Sequence, residues 1–142
     1  MAEGQKNDSP PQGGWTGVMG MRLVQVTKDE VVGEWEVDER HLQPMGIVNG
    51  GVHCTAVESL CSTGAYLNVM DQGKVVVGLD NHTSFVRAVR PGAKLRAVAR
   101  PITRGRTAQL WEAEVRDADG KLVATGRVRL LCMDEKGWGQ KR

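Results

Sequence analysis

Aromatic side chains are scarce in this chain of 142 residues: four Trp, one Tyr and one Phe, 4% in all. A ligand pocket built on stacked rings therefore has few candidates. No run of eighteen apolar residues occurs, and no amino terminus that is first charged and then apolar, so neither a membrane span nor a signal peptide is expected. A cytoplasmic protein follows by default. A strong charge of one sign is also missing. The net charge is +2 and the pI about 8.5, too mild for a nucleic-acid partner, and no basic stripe interleaved with aromatics supports one. Cysteine is limited to Cys54, Cys61 and Cys132. An odd number in apolar company reads as free thiols and not as a disulfide framework. Cys54 and Cys61 share a helix face but lie too far apart along the axis to bridge. CxxC and HExxH spacings are absent and His41, His53 and His82 are scattered, so neither a metal nor a cofactor is expected.

What is present is an ordinary globular composition, 40% hydrophobic and 25% charged, on a length that suits one domain with a real core. Residues 1–14 are polar and rich in Pro and Gly, which predicts disorder. The folded domain is expected over residues 15–134, followed by a flexible tail over 135–142. "MRLVQVTKDEVVGEWEV" has two alternating runs around Lys28-Asp29, a hairpin signal. "KVVVGLDNHTSFV" is β-rich, and its unbroken Val75-Val76-Val77 suggests a strand covered on both faces. After Arg90-Pro91-Gly92 come "KLRAVARPIT", "TAQLWEAEVRD" and "KLVATGRVRLLCM", the last two joined by a turn at Asp117–Gly120. The long helical segment is about Gly51 to Val69. Two strands, one helix and four strands predict an α+β domain, its antiparallel sheet wrapped around the helix.

That helix carries an oddity. Cys54, Val57, Cys61 and Ala65 form one stripe, with Leu60, Gly64 and Leu67 nearby, and small residues are dense, so something must pack close to the backbone. A helix apolar nearly all round is a buried one, yet Glu58 sits within it. A carboxylate there is costly unless paired or put to use; it either reaches solvent or an arginine, or it does chemistry. Gly50 and Gly51 stand at the helix start. They form either a plain turn or a place where exposed N–H groups and the helix dipole meet a ligand, including the oxyanion of an acyl-transfer intermediate.

Distance sets a condition on the second option. Eight residues of helix rise about 12 Å, whereas attack and oxyanion stabilisation must converge within about 3 Å of one carbonyl carbon. Gly50 and Glu58 of one chain cannot serve one substrate. If both act, two antiparallel helices must supply them, giving a symmetric dimer with two shared sites.

Together with "NHTSFVRAVRPGAKL" and "RGRTAQLWEAEVRDADGKLVATGRVRL", these features resemble the hotdog-fold acyl-CoA thioesterases. The resemblance is to the PaaI-like group, which includes phenylacetyl-CoA and hydroxybenzoyl-CoA thioesterases, and runs from about Gly17 to Met133. That group carries N/Q-x-x-G-x-x-H-G-G before the helix and an acid nine residues after the His. Here the frame reads Gln43-Pro44-Met45-Gly46-Ile47-Val48-Asn49-Gly50-Gly51, then Glu58. The resemblance implies that Gln43 holds the thioester carbonyl or the attacking water. It also implies that the Gly50 N–H polarises that carbonyl, with Gly51 beside it, and that Glu58 is the catalytic carboxylate from the opposing subunit. Ser62 falls where hydroxybenzoyl-CoA thioesterases carry a Thr that helps place water. Asn49 replaces the His and is a favoured helix N-cap. His82 falls where the group more often has Asn, and a packed, hydrogen-bonded ring is expected there. The CoA phosphates are placed near loops such as those of Arg87, Arg90, Arg104 and Arg106, whose forks suit them; a solvated charged loop is the plainer reading of each. The implied assembly is a homodimer with shared sites, arranged as a homotetramer, acting on acyl-CoA.

Two other readings stay open on sequence. One is a non-catalytic hotdog protein that binds acyl-CoA or scaffolds an assembly, favoured by Asn49. The other is a dehydratase or hydratase of β-hydroxyacyl thioesters, but such enzymes resemble a different pattern, a His paired with an acid, in which neither His41 nor His53 sits.

Overall fold

The computed structural model describes residues 13–136 and 138; the segments expected to be disordered or flexible lie largely outside these. A short helix α1 (Gly14–Val18) leads into strands β1 (Arg22–Val26) and β2 (Val31–Glu36). The long helix α2 (Gly50–Leu67) follows, then β3 (Lys74–Phe85), β4 (Lys94–Arg104), β5 (Ala108–Arg116) and β6 (Leu122–Asp134). The six strands form one antiparallel sheet in the order β1-β2-β4-β5-β6-β3, and α2 packs against β2 through β6. The expected α+β architecture, one long helix held in an antiparallel sheet, is observed. Among the described residues no helix is long and apolar enough to cross a membrane.

Strand alternation builds the core. Val31, Gly33 and Trp35 of β2 pair with Ala99, Ala97 and Leu95 of β4, and all face Val57, Leu60 and Cys61 of the helix in one apolar cluster. One of the small residues on α2, Gly64, is explained by Trp111. A Cβ on Gly64 would lie 2.4 Å from its ring, so glycine is what lets the indole rest on the helix backbone. Trp111 Nε1 donates to Gln109 Oε1 at 2.8 Å, and Gln109 Nε2 donates to the Ala65 carbonyl at 3.1 Å. The buried polar groups of β5 are thereby paired. The helix ends where Asn68 folds back, its Nδ2 donating to the carbonyls of Gly64 and Lys28 at 2.7 and 2.8 Å.

Two features of β3 differ from expectation. Val75–Val77 is half-buried and not enclosed, because β3 is an edge strand with β6 as its only partner in the sheet. Its register also slips: Gly78 pairs with Leu130 but Asp80 with Arg129, leaving Leu79 as an extra, bulged residue. Val76 packs on the core and Gly78 faces the helix, so unbroken alternation would carry Asp80 and His82 to the helix side. The bulge reverses the phase. Asp80 turns outward to Arg129, at 2.6 Å, and Asn81 turns inward.

Candidate active site

The segment before α2 is rigid for local reasons. The Gln43 N–H donates to the Ile47 carbonyl at 2.8 Å and the Gly46 N–H to the Gln43 carbonyl at 2.9 Å. The tight turn uses Gly46 at φ 80, a conformation that favours glycine. The Gln43 Oε1 accepts from the Met45 N–H. His41 anchors the start of the segment: its Nδ1 accepts from the Asp38 N–H at 3.0 Å and its Nε2 donates to the Met19 carbonyl at 2.7 Å. The Asn49 N–H then donates to the His41 carbonyl at 2.8 Å.

Asn49 is the N-cap of α2, and its Oδ1 accepts from the Gly51 N–H at 2.8 Å. This occupies one of the open donors at the helix start. Of the two glycines, the N–H of Gly51 is taken, whereas that of Gly50 has no partner among the described residues. A Cβ on Gly50 would meet the outer edge of the exposed Phe85 ring, which would have to move aside. Gly50, Gln43, Phe85 and Arg87 line a cleft of about 260 Å³ with His53 at its inner wall. His53 is 3% exposed, and its Nδ1 has no hydrogen-bond partner among the described residues. Burial pushes the His53 imidazole down to about 4, so it is neutral at physiological pH.

Glu58 lies two turns along the helix, half-buried. Each carboxylate oxygen accepts one hydrogen bond. Ser62 Oγ donates to Oε1 at 3.3 Å and Asn81 Nδ2 donates to Oε2 at 3.1 Å. Asn81 Nδ2 also reaches the Cys54 carbonyl at 3.1 Å, and Thr83 Oγ1 holds Asn81 Oδ1 at 2.7 Å. Space for the carboxylate comes from Gly78, where a Cβ would lie 2.5 Å from Glu58 Oε1. Burial first, and then the charges of Glu58 and Glu112, push the Cys61 thiol well above the usual range, which makes it inert. Glu58 opens into a second cleft, of about 460 Å³, whose walls include Trp15, Thr55, Ser59 and Asn81. The two clefts share no residue.

The structure thus joins Gln43 and Gly50 in one place and Glu58 and Ser62 in another, as the helix rise requires. His82 belongs to neither. It is exposed on the outer side of β3, a correction to the expected packed ring, and its cause is the bulge at Leu79. Arg104, expected at the CoA phosphates, is engaged elsewhere: its Nη1 donates to Asp29 Oδ1 at 2.6 Å and to the Lys28 carbonyl at 3.2 Å, bracing the β1–β2 turn. Arg87, Arg90 and Arg106 are exposed. Asn81 and Gly78 were not legible beforehand, because the bulge that aims Asn81 inward has no marker in strand alternation. Another cleft, of about 770 Å³, lies away from all these residues. Its charges offset one another in Arg22–Glu34–Arg96 and Arg40–Asp38.

Known proteins share this fold. Residues 45–124 match the family model described as the thioesterase superfamily. AziG of S. sahachiroi superposes with a TM-score of 0.82 at 39% identity, covering 86% of this chain and 98% of that one. A thioesterase from Haemophilus influenzae superposes with a TM-score of 0.80 at 31% identity, covering 88% and 86%. The 1,4-dihydroxy-2-naphthoyl-CoA hydrolase of Escherichia coli K12 is 32% identical over 117 residues, 82% of this chain and 85% of its own. With its single long helix in a six-stranded antiparallel sheet, this chain belongs to the thioesterase superfamily and has the hotdog fold.

Proposed function

We propose that the protein hydrolyses an acyl-CoA thioester to the free acid and CoA, with Glu58 of one subunit acting opposite the Gly50 N–H of a second. The carrying observation is the Glu58 carboxylate: half-buried on a core helix, oriented on both oxygens by Ser62 and Asn81, and given room by Gly78. Such positioning supports a chemical role over plain solvation. Water adds to the thioester carbonyl carbon, the C–S bond breaks, and the CoA thiolate leaves and takes up the proton. Glu58 serves either as the base that draws the proton from water or as a nucleophile whose acyl anhydride water then opens. Both routes use the same donor, the Gly50 N–H, with Gln43 beside it to hold the carbonyl or the water.

Two copies are invoked because the donor and the carboxylate line separate clefts within one chain. A two-fold dimer with antiparallel helices brings each Gly50 to its partner's Glu58, and pairing such dimers gives a tetramer. Asn49 supports this reading: by capping the helix through Gly51 it leaves the Gly50 N–H open, so its presence in place of His is compatible with a working donor. The hydrolase named above acts on an aryl-CoA, and the CoA ester is the substrate class proposed here. Arg87, Arg90 and Arg106 are the cations offered to its phosphates. No cofactor, nucleic acid or membrane is invoked, and a cytoplasmic setting is the one proposed.

The test is an acyl-CoA panel with free-thiol detection, run on wild type, Glu58→Ala and Glu58→Gln. A fall in kcat of about a hundredfold or more, with an unchanged thermal transition, is expected from the loss of a positioned acid–base group. Near-wild-type thiol release by either variant removes Glu58 from the reaction. CoA binding without thiol release by wild type selects the scaffold.

A further inference from the structure

The cleft above Glu58 has a wall that the reaction does not account for. Trp15, on α1, is 62% exposed, so it contributes little to the core. It is nonetheless fixed. Its Nε1 donates to Thr55 Oγ1 at 2.7 Å, and Thr55 Oγ1 in turn donates to the Gly51 carbonyl at 2.9 Å. The next residue, Thr16, shares a hydrogen bond of 2.9 Å with Ser59 Oγ. Two side chains of α2, one turn apart, therefore hold α1 over the helix. The indole nitrogen is spent on Thr55, so the part of the ring left to the cleft is its hydrocarbon and π surface. Holding the ring before a ligand arrives lowers the ordering cost of binding.

Charge indicates which part of a ligand this wall meets. Among the described residues, no Arg or Lys lines the cleft shared by Trp15 and Glu58, whereas Arg87 lines the cleft of Gly50. Phosphates are placed by cations, and among the described residues the charged group lining this cleft beside Trp15 is the Glu58 carboxylate, which disfavours an anion. The volume, about 460 Å³, is within the range of small-molecule sites. The wall therefore faces a neutral acyl group.

We propose that Trp15, locked by Thr55, is a specificity-determining residue: its indole face forms the acyl-side wall of the Glu58 cleft and selects a flat, conjugated acyl group over a saturated chain. This rests on the thioesterase reading above and adds a residue and a selection rule to it. An aromatic face gains about a kcal/mol from an offset-stacked ring that an alkyl chain does not supply, which corresponds to about a fivefold to tenfold preference.

The experiment compares kcat/KM for benzoyl-CoA and hexanoyl-CoA in wild type, Trp15→Ala, Trp15→Phe and Thr55→Val. The benzoyl-to-hexanoyl ratio is expected to fall about fivefold to tenfold in Trp15→Ala. Trp15→Phe should restore most of it, and Thr55→Val, which frees the indole, should give an intermediate value. An unchanged ratio in Trp15→Ala overturns the proposal whatever the absolute rates. If Trp15→Ala does not fold, an unchanged ratio in Thr55→Val does so. A wild type that releases thiol from neither ester counts against the reaction instead. The wall is then read by tryptophan emission, which benzoyl-CoA must quench more in wild type than in Trp15→Phe; equal quenching overturns it.

Discussion

Asn81 on the edge strand donates to Glu58 Oε2 at 3.1 Å across 23 positions of sequence. The same amide nitrogen reaches the Cys54 carbonyl one helical turn earlier. Asn81 thus ties the carboxylate to the helix that carries it. Asn81→Ala is expected to lower kcat about tenfold by loosening the carboxylate, with KM changed less than kcat. Asn81→Asp should be worse, since it sets a second negative charge against Glu58. Steady-state kinetics on both variants check this, and equal kcat in Ala and Asp variants would show that Asn81 does not address the charge.

The contact between Gly50 and Phe85 gives a second expectation. Gly50→Ala should destabilise the protein by about 1 kcal/mol, because the added methyl forces the exposed Phe85 ring out of its rotamer. The double variant Gly50→Ala, Phe85→Ala should be less unstable than the sum of the two single changes. Urea unfolding of all three variants yields the coupling, and strict additivity would mean that the clash is relieved elsewhere.

The arginines separate into two kinds. Arg104→Glu should lower the thermal transition, because it places a negative charge beside Asp29 and removes the brace to the Lys28 carbonyl. Arg106→Glu should leave the transition unmoved and raise KM for acyl-CoA more than it lowers kcat. Melting curves together with KM values decide. A shift in KM for Arg104→Glu at unchanged stability would restore Arg104 to the phosphate site.

His53 makes stability depend on pH in a defined window. Its imidazole titrates near 6.5 when unfolded but at about 4 in the folded protein. Above about pH 6.5 the ring is neutral in both states and costs nothing. As pH falls from about 6.5 to 4, the unfolded chain takes up a proton that the folded one refuses, so stability drops by roughly 3 kcal/mol. Urea unfolding at pH 7, 5.5 and 4 should show a steeper loss in wild type than in His53→Gln. Parallel slopes would mean that the ring takes up its proton in place.

The helix was legible because its signals are local. Asn49 caps it, the Gly50-Gly51 pair opens it, and the small residues foretell a close neighbour, which is Trp111 at Gly64. The hairpin at Lys28-Asp29 and the turn ending at Gly120 were readable for the same reason. Glu58 and Ser62 could be placed together because a helix fixes residues four apart on one face. What failed depended on partners remote in sequence. His82 was misjudged and Asn81 missed because one bulge inverts the strand, and the bond from Arg104 to Asp29 spans 75 positions. The hydrogen bond between Trp15 and Thr55 is invisible for the same reason.

The slip at Leu79 leaves residues 80–85 with two ways to lie along β6, one position apart. In the observed way Asp80 meets Arg129 and Asn81 meets Glu58. In the other, Asp80 turns toward the Glu58 carboxylate, Arg129 loses its partner, and His82 is driven against the helix. Such a slip inverts every side chain beyond it, and here it would set two like charges together in a half-buried place. The register observed therefore keeps the Asp80 carboxylate on the outer side of the edge strand, away from that of Glu58.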